Sequence, residues 1–215
     1  MQSVSLTQAG PIALSIASVI IDNQALLSEI DGATGDGDHG INMAKGFRLA
    51  ADRLRGREFD LRHGFETIGD TLLGDIGGSM GPLYGTFFTD MALAAKGCDT
   101  LDRDLLGRML AAGEAAITDL GEAKPGDKTL IDVLTPARTA FDAKAAEGGD
   151  FAACLGAMKS AAAEGLESTR TMIARLGRAA RLGERSRGTL DAGACSCNLI
   201  LQALADGLLD KLHSA

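Results

Sequence analysis

The chain has 215 residues, 46% of them apolar, which suffices for one domain with a buried core. Aromatics make up only 4%, Trp is absent, and no β-branched, turn-punctuated strand series occurs, so residues 1–215 are expected to form a single all-α domain. A net charge of −8 and a pI near 4.9 argue against nucleic acid and anionic membrane as partners, since neither finds a basic face.

The N-terminal segment MQSVSLTQAG lacks basic residues, and the apolar run after it is broken by Ser15, Ser18, Asp22 and Asn23. It is predicted as a helix, neither a signal peptide nor a membrane span, and a cytoplasmic location follows by default. A 3.6-residue period then yields eight helices in chain order. The first carries Ile12, Ile16, Val19, Leu26, Leu27 and Ile30; the second Met43, Phe47, Ala50 and Leu54; the third Phe65, Ile68, Leu72 and Ile76. The fourth carries Leu83, Phe87 and Met91; the fifth Leu106, Met109, Leu110, Ile117 and Leu120; the sixth Leu130, Leu134, Ala137 and Phe141. Phe151, Leu155, Met158, Ala162, Leu166 and Ile173 mark the seventh, and Leu201, Leu204, Leu208 and Leu212 the eighth.

Two kinds of connection alternate along this series. GREFD at 56–60, GCDT at 97–100 and EGGD at 147–150 are short and bland, which implies antiparallel neighbours. The segments 31–40, 74–82, 121–129 and 177–193 are rich in Gly and in functional side chains. If the helices run up and down in order, all four rich loops emerge at one rim. The second, fourth, sixth and eighth helices begin there, so their free N–H groups and positive dipole ends converge on one place suited to an anion. Eight helices in one layer can close as a barrel, although two stacked bundles satisfy the same pattern.

The first rich loop places Asp31, Asp36 and Asp38 on a chain made pliable by glycines. Three carboxylates this close repel one another without a counter-ion, and hard oxygen donors suit a divalent hard cation. An EF-hand is excluded, because Phe47 stands where the bidentate Glu would be; Mg²⁺ fits better than Ca²⁺ if a phosphate supplies further ligands. His39 and Asn42 follow at the start of the second helix. GGSMG at 77–81 lets backbone approach a ligand closely, and no Walker G-x-x-x-x-G-K-[ST] sequence occurs. Asp127 is expected to cap the sixth helix, with Lys128 as a charge partner. The last loop holds Arg178, Arg181, Arg185 and Arg187, whose planar forks suit phosphate, and closes on Asp191 and Gly193. Cys98, Cys154, Cys195 and Cys197 have no metal-site spacing and read as small buried apolar residues.

GDGDHGINMAKGF, GGSMGPLYGTFF, PGDKTLIDVLTPA and GRAARLGERSRGTLDAGA resemble, in order and across nearly the whole chain, the signature blocks of the dihydroxyacetone kinase L subunit, the nucleotide-binding partner in glycerone kinases. The resemblance implies an eight-helix antiparallel up-and-down barrel with the nucleotide at one rim. Asp31, Asp36 and Asp38 become ligands of two Mg²⁺ ions that bridge the phosphates of ADP or ATP. His39, Gly40, Ile41, Asn42, Ser79 and Met80 lie against the nucleotide, Gly121 and Leu130 flank the base, and Arg178, Asp191, Ala192 and Gly193 close over it, Arg178 as a phosphate or transition-state contact. The turn reads Ser79-Met80 where the family usually has Ala-Ser or Ser-Ser, and Asp191-Ala192-Gly193 stands in place of Asp-Pro-Gly.

In that family the ketone sits on a separate K subunit, held covalently by a histidine there, so no covalent residue is expected in this chain. A stand-alone L module resembles the phosphotransferase-dependent systems, in which an M subunit rephosphorylates bound ADP. An alternative within the same chemistry exchanges ATP directly and acts on dihydroxyacetone or a tetrulose such as erythrulose. A rival of another class is a non-catalytic lipid-binding or regulatory helical barrel, which has no use for three clustered carboxylates. A complex with other subunits is expected, and a homodimer stays open beside it.

Overall fold

The computed structural model describes residues 2–214. The chain is all-α apart from one small strand pair. β1 (Ser3–Ser5) leads into the short α1 (Leu6–Ala9), then α2 (Ile12–Asp22) and α3 (Gln24–Gly32). Next come α4 (His39–Leu54), α5 (Leu61–Asp75) and α6 (Met80–Ala94); β2 (Thr100–Asp102) precedes α7 (Arg103–Gly121). The remaining helices are α8 (Ile131–Ala146), α9 (Phe151–Ser168) and α10 (Ala192–His213), with 3₁₀ turns at Thr169–Thr171 and Ala179–Ser186.

Each long helix packs on its sequence neighbours, and α10 packs on both α9 and α2, which closes the ring. Up-and-down order with short links makes neighbours antiparallel, and the closing contact favours the barrel over two stacked bundles. The α4–α6 wall is sealed by phenylalanines: Phe88 meets Phe47, Phe65 and Phe87 edge-to-face at centroid distances of 5.8, 5.2 and 5.1 Å. Gly69 lets α5 and α6 touch, since a Cβ there would lie 2.3 Å from Thr89 Oγ1. α10 is long and apolar enough by composition to cross a membrane, yet Ile200, Leu201, Leu204 and Leu208 are buried in the barrel.

Three features differ from the periodicity reading. The first predicted helix is two, α2 and α3, bent by 52° at Asn23. The Asn23 side-chain amide donates to the Val19 carbonyl at 2.8 Å, competing with the helical ladder at the bend. The seventh predicted helix ends at Ser168 and leaves Ile173 outside. Hydroxyls of Ser168, Thr169 and Thr171 donate to carbonyls three residues back, tightening the last turn into 3₁₀ geometry. Finally, the bland 97–100 connection runs on into β2, which pairs antiparallel with β1 in the register Ser3↔Asp102, Val4↔Leu101 and Ser5↔Thr100.

Candidate functional site

The four rich loops share one rim and enclose a cavity of about 450 Å³. Asp31 lies in the last turn of α3, Asp36 in the connecting loop, and Asp38 at the N-cap of α4. One oxygen from each carboxylate lies within 4.8 Å of the others. Arg178 pairs with Asp36 and stands 4.0 Å from Asp38. A single guanidinium among three carboxylates leaves the cluster negative, and its donors are all hard oxygens, so the residues present fit a divalent cation such as Mg²⁺.

Helix ends define the rest of the rim. α4, α6 and α8 begin at Asp38, Ser79 and Leu130, and none of these side chains caps its own helix. Two first-turn N–H groups still find side-chain acceptors, His39 donating to Asp31 at 3.3 Å and Ile131 of α8 to Thr129 Oγ1 at 3.2 Å, while those of Gly40 and Ile41 in α4 and of Met80 and Gly81 in α6 have none among the described residues. α10 is the exception: Asp191 accepts from the Ala194 N–H at 2.7 Å. Leu83, Ile117, Leu120 and Leu130 supply an apolar wall beside the acidic cluster.

Of the residues singled out in the sequence, Asp31, Asp36, Asp38, His39, Ser79, Met80, Gly121, Leu130, Arg178, Asp191, Ala192 and Gly193 all line this cavity. Gly40, Ile41 and Asn42 do not, nor do Asp127, Arg181, Arg185 and Arg187. Gly40 is where α4 crosses α3, and a Cβ there would sit 2.1 Å from the Gln24 carbonyl. Ile41 turns outward, 55% exposed, and the Asn42 N–H bonds within the helix to the Asp38 carbonyl. Asp127 does not cap α8 either. Its carboxylate accepts from the Lys124 N–H, while Asp132 folds back onto the N–H groups of Thr129 and Gly126.

Behind the cavity lies a buried network that the sequence reading missed. His39 Nε2 is 3.0 Å from Ser196 Oγ, which is 2.7 Å from Tyr84 Oη; both hydroxyls also reach the Gly193 carbonyl. Its traces in the sequence are slight: the chain's single tyrosine, and one serine set between Cys195 and Cys197. Burial lowers the His39 pKa to about 4 against the opposing pull of Asp31, so the ring is neutral at physiological pH. Burial raises Asp191 to about 6 and Cys195 to about 11, and pushes Tyr84 and Cys197 up as well. The four cysteines are free, and all but Cys98 are buried, as their apolar reading implied.

A closed helical barrel with an acidic, nucleotide-sized cavity among helix N-termini defines the class, and the chain belongs to the DAK2 domain family, which matches residues 33–206. It is 35% identical over 204 residues to the Escherichia coli protein described as the ADP-binding subunit DhaL of a PEP-dependent dihydroxyacetone kinase, covering 94% of this chain and 97% of that one. A Listeria innocua subunit of the same description is 38% identical over 184 residues, covering 85% and 87%. Among solved structures, the dihydroxyacetone kinase of C. freundii in complex with AMP-PNP and Mg²⁺ superposes with a TM-score of 0.70 at 27% identity. That match covers 96% of this chain and 35% of the C. freundii chain, so the present chain spans about a third of its length.

Proposed function

We propose that this chain is the ADP-binding subunit of a phosphoenolpyruvate-dependent dihydroxyacetone kinase. The observation that carries the reading is the gathering of Asp31, Asp36 and Asp38 at the rim where α4, α6 and α8 begin without side-chain caps. Asp31, Asp36 and Asp38 would hold Mg²⁺, which would supply positive charge against the nucleotide phosphates and against the charge that develops in phosphoryl transfer. The helix N-termini offer N–H groups to the phosphates, Arg178 adds a planar fork, and the apolar wall around Leu130 takes the base. Asp191, Ala192 and Gly193 form the wall at the start of α10, with His39 held beside it as a neutral ring.

Ser79, Met80 and Gly121 complete the nucleotide contacts, whereas Gly40 serves the α3–α4 crossing. The ketone belongs on a separate K subunit, the phosphoryl donor is a phosphotransferase M subunit, and the complex works in the cytoplasm. Positioning and electrostatics do the catalysis, with no covalent step on this chain.

Extraction of natively purified protein after long dialysis in Mg²⁺ buffer tests the reading. Stoichiometric retained ADP is expected. An empty site that exchanges added ATP reversibly points instead to the direct ATP-using dihydroxyacetone or tetrulose kinases. Failure to bind any nucleotide with Mg²⁺ present overturns the proposal and returns the lipid-binding or regulatory barrel.

A further inference from the structure

Lys128 is 2% exposed, and its backbone lies in the left-handed region at φ +61°. Both choices are unfavourable: Gly or Asn suits that backbone better, and an apolar side chain is cheaper to bury. What the side chain does explains the choice. Its ammonium donates to the carbonyls of Ser186, of Thr189 at 2.7 Å and of Met172 at 3.4 Å, with Thr189 Oγ1 also at 3.4 Å.

Met172 lies on the outgoing leg of the arginine-rich loop, and Ser186 and Thr189 on the returning leg. We propose that Lys128 is a positioning residue that staples the neck of the 172–189 loop and so sets Arg178 over the carboxylate cluster. Three N–H bonds meet three carbonyls, which leaves none for a ligand, so Lys128 acts through the loop and not by touching phosphate. The same residue belongs to the segment carrying Leu130, so the staple joins two walls of one cavity. Other bonds run along the neck, from the Gly188 N–H to the Arg170 carbonyl at 2.8 Å and from the Ala174 N–H to Ser186 Oγ at 2.9 Å. Its neighbour Asp127 also meets the loop, its carbonyl accepting from the Arg175 N–H at 3.0 Å and its carboxylate standing 3.9 Å from the Arg175 guanidinium, but Lys128 brings the ammonium that bonds both legs at once. With both legs tied at one point, the order of the lobe depends on the bonds at its neck.

The effect on ligand rests on the Mg-nucleotide reading above, whereas the staple itself is testable without ligand. Lys128→Asn and Lys128→Gly both accept the left-handed backbone and remove the ammonium, so at least one is expected to fold. In ligand-free protein, amide hydrogen exchange over 172–189 is expected to quicken by about tenfold or more while α5 and α6 stay protected. Calorimetry with Mg·ADP is expected to show affinity about tenfold weaker, and no further loss when the change is added to Arg178→Ala, because Lys128 acts through Arg178. Unchanged exchange, or losses that multiply independently in the double variant, overturns the inference. If the unaltered protein binds no Mg·ADP, the nucleotide reading falls while the exchange measurement still decides the staple.

Discussion

The two rims of the barrel are built from the same helix ends and treated in opposite ways. At the closed rim, α5, α7 and α9 start at Asp60, Asp102 and Asp150, and each carboxylate accepts the N–H three residues on, at 2.7, 2.8 and 2.8 Å. At the open rim, α4, α6 and α8 start without such a bond, although Asp38 and Ser79 are residue types that cap well. Aspartates are present at both ends; at the closed rim they complete the helix, and at the open rim Asp31, Asp36 and Asp38 face one another while Asp191 caps α10. The contrast teaches where stability has been given up for a ligand. A fold that caps three helices routinely, and leaves α4 and α6 uncapped beside one cavity, keeps the free N–H groups of their first turns for something else; α8 differs, since Thr129 Oγ1 accepts from its Ile131 N–H at 3.2 Å.

The largest effect that tests this contrast comes from the carboxylates. Asp36→Ala is expected to weaken Mg·ADP binding at least a hundredfold, on the order of 3 kcal/mol, because it removes a cation ligand. Asp36 is exposed and pairs only with Arg178, so ligand-free thermal stability is expected to change by no more than about 0.5 kcal/mol. Retained affinity by calorimetry breaks the metal assignment. A helical fold lost on substitution would place Asp36 in the scaffold and erase the difference between the rims.

The next effect concerns Asp191, which caps its helix at the open rim and carries a pKa raised to about 6 by burial. Its folded-state pKa stands above the ordinary value of 3.8, so between about pH 4 and 6 the folded chain holds more protons than the unfolded one. Stability from this group therefore falls as pH rises through that window, and above it the buried charge is a standing penalty. Asp191→Asn keeps an oxygen for the Ala194 N–H and removes the charge. The ligand-free variant is expected to lose that pH dependence and to gain on the order of 1–3 kcal/mol at neutral pH. Thermal melts from pH 4 to 8 decide it, and parallel profiles for the two proteins refute the assignment.

Much of this rim is legible in the sequence because its signals are local. Alternating loop chemistry, helix period and the Asp31–Asp38 spacing all sit within a few residues of one another, and up-and-down order converts them into one site. Gly40, Ile41 and Asn42 follow the acidic loop directly, and the 3.6-residue turn of α4 leaves them outside the cavity lining, with the Ile41 side chain exposed. Long-range partners leave still less trace. The β1–β2 pair joins segments almost a hundred residues apart, and neither three-residue strand has a periodicity to read. Lys128 looks like an ordinary surface charge until its carbonyl partners on a loop some sixty residues on are in place. Asp127 had the right residue type for a cap, and the chain used Asp132 instead to fold the turn back on itself.

The smallest effect is also the most direct comparison of the two rims. Asp102→Ala removes a cap bond to the Leu105 N–H and is expected to lower stability by about 1 kcal/mol, with Mg·ADP affinity unchanged. Ser79→Ala removes a residue of capping type that makes no cap bond, so its ligand-free stability is expected to stay within about 0.5 kcal/mol of the parent. Its signature lies in binding instead, a loss of several-fold in Mg·ADP affinity if the hydroxyl meets a phosphate. Denaturant melts and calorimetry on the two variants separate the roles, stability without affinity at one end and affinity without stability at the other. Equal stability losses in both would mean that α6 is capped like the helices of the closed rim, and that its first turn was never reserved for a ligand.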